Sequence, residues 1–119
     1  MKVAVSAIGT VLDSEVDPRF GRCKYLIFID PTTMEFEAVE NSAAAGGAGI
    51  ATAQLVASKG AQVVLTGNCG PNAYNVLSTA GIKVFTGVAG KVKDAVQSFK
   101  EGKYKAGAQP NAAQHSGLK

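Results

Sequence analysis

The chain has no tryptophan, one histidine, two cysteines and four prolines in 119 residues. Each scarcity excludes something. A closed structural zinc site takes four nitrogen or sulfur ligands, and Cys23, Cys69 and His115 supply three at most. Two cysteines without a C-x-x-C spacing cannot form a disulfide framework, so a reduced, cytoplasmic setting is expected. No apolar run approaches the roughly 18 residues that a membrane-spanning helix needs, and no membrane partner is expected. The opening MKVAVSAIG is apolar but short, and Asp13, Glu15 and Asp17 follow where a signal peptide would be cleaved. It reads as a first strand. Excess charge is scarce as well. The formal charge is +3, of which Lys103, Lys105 and Lys119 against Glu101 place +2 in residues 101–119. The body, at +1, has no basic stripe, and duplex nucleic acid demands many phosphate contacts, so it is not expected as a partner.

What is present is ordinary globular composition, 46% apolar and 18% charged, at a length that buries one core. Lys2–Ile8 and Tyr25–Ile29 are apolar on both faces, as strands covered on both sides require. Residues 9–23, with three acids, Pro18 and two glycines, read as a long loop. Asp30-Pro31-Thr32-Thr33 is turn chemistry, and Met34–Val39 alternates, with Met34, Phe36 and Ala38 facing inward and Glu35 and Glu37 outward. The period then changes. Ala48–Lys59, Asn72–Ala80 and Lys91–Glu101 have helical spacing, and each runs into a glycine (Gly60, Gly81, Gly102) suited to a left-handed cap. Between them QVVLTG and IKVFTG are short strands closing on Thr-Gly. The sum is an α/β fold: a five-stranded mixed sheet with helices on its faces, one domain over residues 1–102. The tail 103–119 has no period and few large apolar residues, and is expected to be disordered.

In open α/β sheets ligands collect beyond the carboxyl ends of the parallel strands. Three glycine-rich turns are expected to converge there, each opening a helix: Gly46-Gly47-Ala48-Gly49, Gly67-Asn68-Cys69-Gly70-Pro71 ahead of Asn72, and Gly87–Lys91. Unpaired N–H groups and helix dipoles make such a convergence a site for an anion. Pro71 fits a first helical position, where its missing N–H costs nothing. The named nucleotide motifs fail. Phe85 and Val92 break the P-loop pattern, and Thr52 replaces the third glycine of a dinucleotide fingerprint. Ahead of the second strand lies Asp17-Pro18-Arg19-Phe20-Gly21-Arg22, where two arginines offer fixed donors suited to an anion, unless Arg19 or Arg22 is spent on Asp17. Cys69 has two readings: a small buried hydrophobe, or a thiol whose pKa the helix start lowers toward thiolate. Cys23 suits packing better than ligation.

The segments VDPRFGRCKYLIFID, GGAGIATAQLVASKGAQVV, GNCGPNAYNVLSTAGIKVF and GxxGKVKDAV, in that order over residues 1–100, resemble the dinitrogenase iron-molybdenum cofactor biosynthesis family, and VDPRFGR in particular its orange-protein branch. The resemblance implies a ribonuclease H-like fold and non-enzymatic binding of a metal–sulfur cluster, either a molybdenum–copper sulfide or an iron–molybdenum cofactor precursor. Family members often carry histidine where this chain has Arg19 and Asn68. These residues therefore suit an anionic thiometallate held by N–H groups, Arg19 and Arg22, with Cys69 as a candidate metal ligand. The acid set for two-metal hydrolysis is not apparent.

The reading is thus a small carrier whose cleft is lined by Arg19, Phe20, Gly21, Arg22, Gly46, Gly47, Gly49, Gly67, Asn68, Cys69, Gly70, Pro71 and Asn72. No catalytic residues are assigned. A partner protein of cluster assembly, or an operon-encoded regulator, is compatible with it. Two rivals stand beside it: an enzyme acting on a phosphorylated metabolite with Cys69 as nucleophile, which lacks a general base, and an interaction module with an empty cleft.

Overall fold

Apolar runs with no polar alternation need cover on both faces, and this chain provides it with three helices. The computed structural model describes residues 1–41 and 48–104. Five strands, β1 (Val3–Ala7), β2 (Tyr25–Ile29), β3 (Phe36–Glu40), β4 (Val63–Leu65) and β5 (Lys83–Phe85), form one sheet in the order β3-β2-β1-β4-β5. β1 pairs antiparallel with β2, from Val3 opposite Ile29 to Ala7 opposite Tyr25, and parallel with β4. The sheet is therefore mixed, as expected, with an antiparallel half (β3, β2) and a parallel half (β4, β5) joined at β1.

The faces separate cleanly, because side chains alternate along each strand. One face carries Ala4, Leu26, Phe28, Val64 and Val84 under Ala53 and Val56 of α1 (Ala48–Ser58) and Ala73 and Leu77 of α2 (Pro71–Thr79). The other carries Val3, Val5, Ile27, Ile29, Val63 and Leu65 under Val92, Ala95 and Val96 of α3 (Val92–Lys100). Phe85 and Phe99 meet edge to face there, with centroids 5.4 Å apart. All three helices end as their glycines suggested. Gly60, Gly81 and Gly102 hold φ between 74° and 79°. The N–H after each glycine reaches back into the last turn, as from Ile82 to the Leu77 carbonyl at 2.9 Å, satisfying carbonyls the helix leaves unpaired.

The hairpin differs in detail from its sequence pattern. Met34 is not in the strand: it closes the turn at φ 64°, its N–H donating to the Asp30 carbonyl at 2.7 Å. Phe36 and Ala38 do share the face of Ile29 and Ile27, but at the sheet's edge less lies above them, and Phe36 stays 42% exposed. Glu37, on the opposite face, pairs with Lys59 at 3.0 Å. Among the described residues no helix is long and apolar enough to cross a membrane. Most of the tail 103–119, His115 included, lies outside the described residues.

Candidate functional site

Because β4 runs parallel to β1 and β2 antiparallel to it, the ends of β1 and β4 and the start of β2 lie at one edge of the sheet. That topology brings together the segment 17–23, which leads into β2, and the turn 66–70, which leaves β4. They are joined by backbone: Asn68 N–H donates to the Pro18 carbonyl at 2.7 Å and Phe20 N–H to the Asn68 carbonyl at 3.1 Å. Gly67 permits this approach. A Cβ there would lie 2.7 Å from Pro18 Cα and 2.8 Å from its carbonyl oxygen, closer than real Cβ atoms come.

Between these segments and the first turns of α1 and α2 opens a cleft of about 340 Å³, lined by Arg19 to Arg22, Gly49, Asn68 and Gly70 to Ala73. Among the described residues no carboxylate lines it. α2 begins at Gly70 with no side-chain cap, Pro71 at its first position, and open space where a Cβ of Gly70 would be. The first-turn amides of Asn72 and Ala73 thus face the cleft without a competing oxygen from their own helix, which is the arrangement that favours a bound anion. Gly49 sets α1 close against α2, its Cβ position 3.5 Å from that of Ala73.

The two arginines are not equivalent. Asp17, 2% exposed, accepts from Arg19 at both the backbone N–H (3.1 Å) and Nε (3.4 Å), while the Arg19 side chain remains 62% exposed. Its charge is partly balanced from below. Arg22 is exposed, and among the described residues it has no ion pair.

Three expectations need correction. First, two helix starts converge, not three. α3 lies on the other face of the sheet, and its start is engaged by the 9–17 loop: Val92 N–H donates to the Ser14 carbonyl at 2.9 Å and Lys93 N–H to that of Leu12 at 3.0 Å. Second, Cys69 is not at the cleft surface. It is 1% exposed within the core beneath α1 and α2, and burial pushes its thiol from 9.0 up to about 12, overriding the dipole that was expected to lower it. Third, Gly67 acts behind the cleft as a point of close approach and does not line it. Gly46 and Gly47 lie outside the described residues. Arg19, Phe20, Gly21, Arg22, Gly49, Asn68, Gly70, Pro71 and Asn72 are brought together as expected. Among the described residues no three His, Cys, Asp or Glu side chains cluster as a metal site.

Sequence reasoning missed Asn41 and Thr52. Both are buried and together they hold the arginine turn: Thr52 Oγ1 donates to the Gly21 carbonyl at 3.0 Å, and Asn41 Nδ2 donates to Thr52 Oγ1 at 3.1 Å and to the Cys23 carbonyl at 3.0 Å. The one available signal was a polar residue, Thr52, on the stripe of α1 that should be apolar. Cys23 is buried beside this network, and burial, reinforced by the Asp17 carboxylate, pushes its thiol up to about 12.

A cleft of this build is found on a fold with known relatives. The profile of the dinitrogenase iron-molybdenum cofactor family matches residues 1–102. The chain belongs to this family. It is 44% identical to the orange protein from Desulfovibrio gigas, whose apo structure superposes with a TM-score of 0.89 over 92% of this chain and 95% of that one. A Thermotoga protein described as NifB-like is 37% identical, with a TM-score of 0.77 over 88% and 91% of the two chains. An uncharacterized protein of Methanocaldococcus jannaschii is 31% identical across 87% of this chain and 92% of its own. The α/β architecture expected from the sequence is that of the orange protein, and the chain is a dinitrogenase-cofactor-related protein of that branch.

Proposed function

We propose that residues 1–102 form a non-catalytic carrier domain that holds an anionic metal–sulfur cluster, a molybdenum–copper sulfide or an iron–molybdenum cofactor precursor, for storage or for delivery to a protein of cluster assembly. The observation that carries this reading is a cleft lined by two arginines and the uncapped start of α2, with no carboxylate among its described lining residues. Sulfide-rich anions are large and polarisable and accept hydrogen bonds over a broad surface. Main-chain amides and arginines meet that need without displacing a sulfide from the metal. Membership of the family and the likeness to the orange protein support the choice of a cluster over a phosphate.

The guest is held through its outer sulfur atoms: Arg22 and Arg19 supply charge, the amides of Asn72 and Ala73 supply directed donors, and Phe20 supplies an apolar floor. Cys69 ligates no metal in this account, because its side chain is 1% exposed within the core beneath α1 and α2 and is not among the residues that line the cleft. The same burial keeps from the cleft the thiol that the enzymatic rival required as nucleophile. Purified protein incubated with tetrathiomolybdate and a copper salt should retain visible charge-transfer absorption after desalting. A colourless protein after desalting would overturn the proposal.

A further inference from the structure

The arginine turn carries a donor that neither guanidinium accounts for. Phe20 to Cys23 is a β-turn, closed by Cys23 N–H donating to the Phe20 carbonyl at 3.4 Å, so the Gly21–Arg22 peptide is its central unit. In most exposed turns that peptide can rotate with little cost, exchanging the sides on which its carbonyl and N–H emerge. Here its carbonyl is drawn into the interior by Thr52 Oγ1 at 3.0 Å, and Asn41 Nδ2 stands 3.4 Å from the same oxygen. Thr52 is fully buried and Asn41 is 4% exposed, so the donors of these bonds are shielded from water. No peptide bond in the described chain is cis. The carbonyl and N–H of a trans peptide point in opposite directions. An inward Gly21 carbonyl therefore turns the Arg22 N–H away from Thr52, and both Gly21 and Arg22 are among the residues that line the cleft. Among the described residues nothing accepts from that N–H. The backbone adds a second restraint. Neither Gly21 nor Arg22 has a positive φ, whereas the flipped turn would force Arg22 into the left-handed region that a long side chain avoids.

We infer that the Arg22 backbone N–H is an anion donor of the cleft, and that Thr52 and Asn41 are positioning residues that lock the Gly21–Arg22 peptide with this N–H outward. The inference rests on the anion-carrier reading and adds to it a specific main-chain contact and the buried pair that aims it. Asn41 satisfies its amide in the process: one hydrogen goes to Thr52 Oγ1 at 3.1 Å, the other to the Cys23 carbonyl at 3.0 Å. The relay spans the end of β3, the second turn of α1 and the entry to β2. The direction of one peptide is thereby tied to three elements of the core.

The test is an amide-resolved NMR titration with tetrathiomolybdate alone, on the full chain and on Thr52→Val and Thr52→Ser. Valine keeps the branched shape and removes the hydroxyl, while serine keeps the hydroxyl. In the wild type and Thr52→Ser the Arg22 amide proton should move strongly downfield with the anion. In Thr52→Val, with the amide spectrum otherwise that of the folded protein, the Arg22 shift should be lost and binding should weaken roughly tenfold. Arg22 unmoved in the wild type, while the Asn72 and Ala73 amides respond, overturns this inference and leaves the carrier reading intact. No cleft amide responding at all overturns the carrier reading itself. If Thr52→Val unfolds, the wild-type and Thr52→Ser titrations still decide the matter, because the Arg22 shift is read in them directly.

Discussion

Arg22 and Arg19 share a turn but not an environment. The carboxylate of Asp17 already engages Arg19 at 3.4 Å and offsets its charge, whereas Arg22 has no such neighbour among the described ion pairs. Arg22→Ala should therefore weaken retention of a thiometallate roughly tenfold and Arg19→Ala by less, both more steeply at low salt, as equilibrium dialysis would read. Equal losses would show that Asp17 does not temper Arg19. Gly67 has a different role. Gly67→Ala would place a methyl group 2.7 Å from Pro18 Cα and should cost about 1–3 kcal/mol in a denaturant melt, by forcing apart the two segments that frame the cleft. The buried thiols give a pH signature. Cys23 and Cys69 are both raised from 9.0 to about 12, so the folded state disfavours their ionisation. The stability this confers is whole below pH 9, where unfolded thiols are also protonated, and declines as pH rises from about 9 toward 12. A Cys23→Ala, Cys69→Ala double variant should lose stability less steeply than the wild type across that window in alkaline melts.

Among the elements, α2 bears most directly on the site. Its Gly70 start leaves the first amides uncapped, a choice that sacrifices helix stability to keep donors available. Gly70 has φ −70° and ψ 168°, an extended conformation open to any residue, with space for a side chain. Gly70→Asp should therefore stabilise the protein by a few tenths of a kcal/mol through N-capping, yet abolish anion retention by occupying the amides with its own carboxylate. A variant that gained stability and kept its guest would separate the helix start from the site. The helices were legible because their stripes repeat every three to four residues and their closing glycines announce left-handed caps, all of which the structure contains. Met34 was misread as strand because a methionine at φ 64° leaves no mark in an alternating pattern. The third helix start was misplaced for a topological reason. Its glycines match the others, but which face of the sheet receives a helix depends on the crossover, and α3 docks opposite α1 and α2.

At the scale of the molecule, the sheet's mixed topology makes the site. One antiparallel pairing, β1 with β2, turns the entry of β2 toward the same edge as the exit of β4, so that an arginine turn faces a helix start. The arginine and glycine motifs were visible in the sequence because they break the apolar rhythm. Asn41 and Thr52 were not, because their meaning lies in partners eleven to thirty-one residues away. Cys69 shows the converse: its neighbours in sequence kept an activated thiol open beside a buried hydrophobe, and its neighbours in space, which are core side chains, decide for the second. The most direct test of the account is the salt dependence of cluster retention, comparing the wild type with an Arg19→Ala, Arg22→Ala double variant after loading with tetrathiomolybdate and copper. The account predicts that wild-type affinity falls steadily as salt rises and that the double variant binds weakly with a much shallower slope. Affinity indifferent to salt and equal in the two proteins would contradict it.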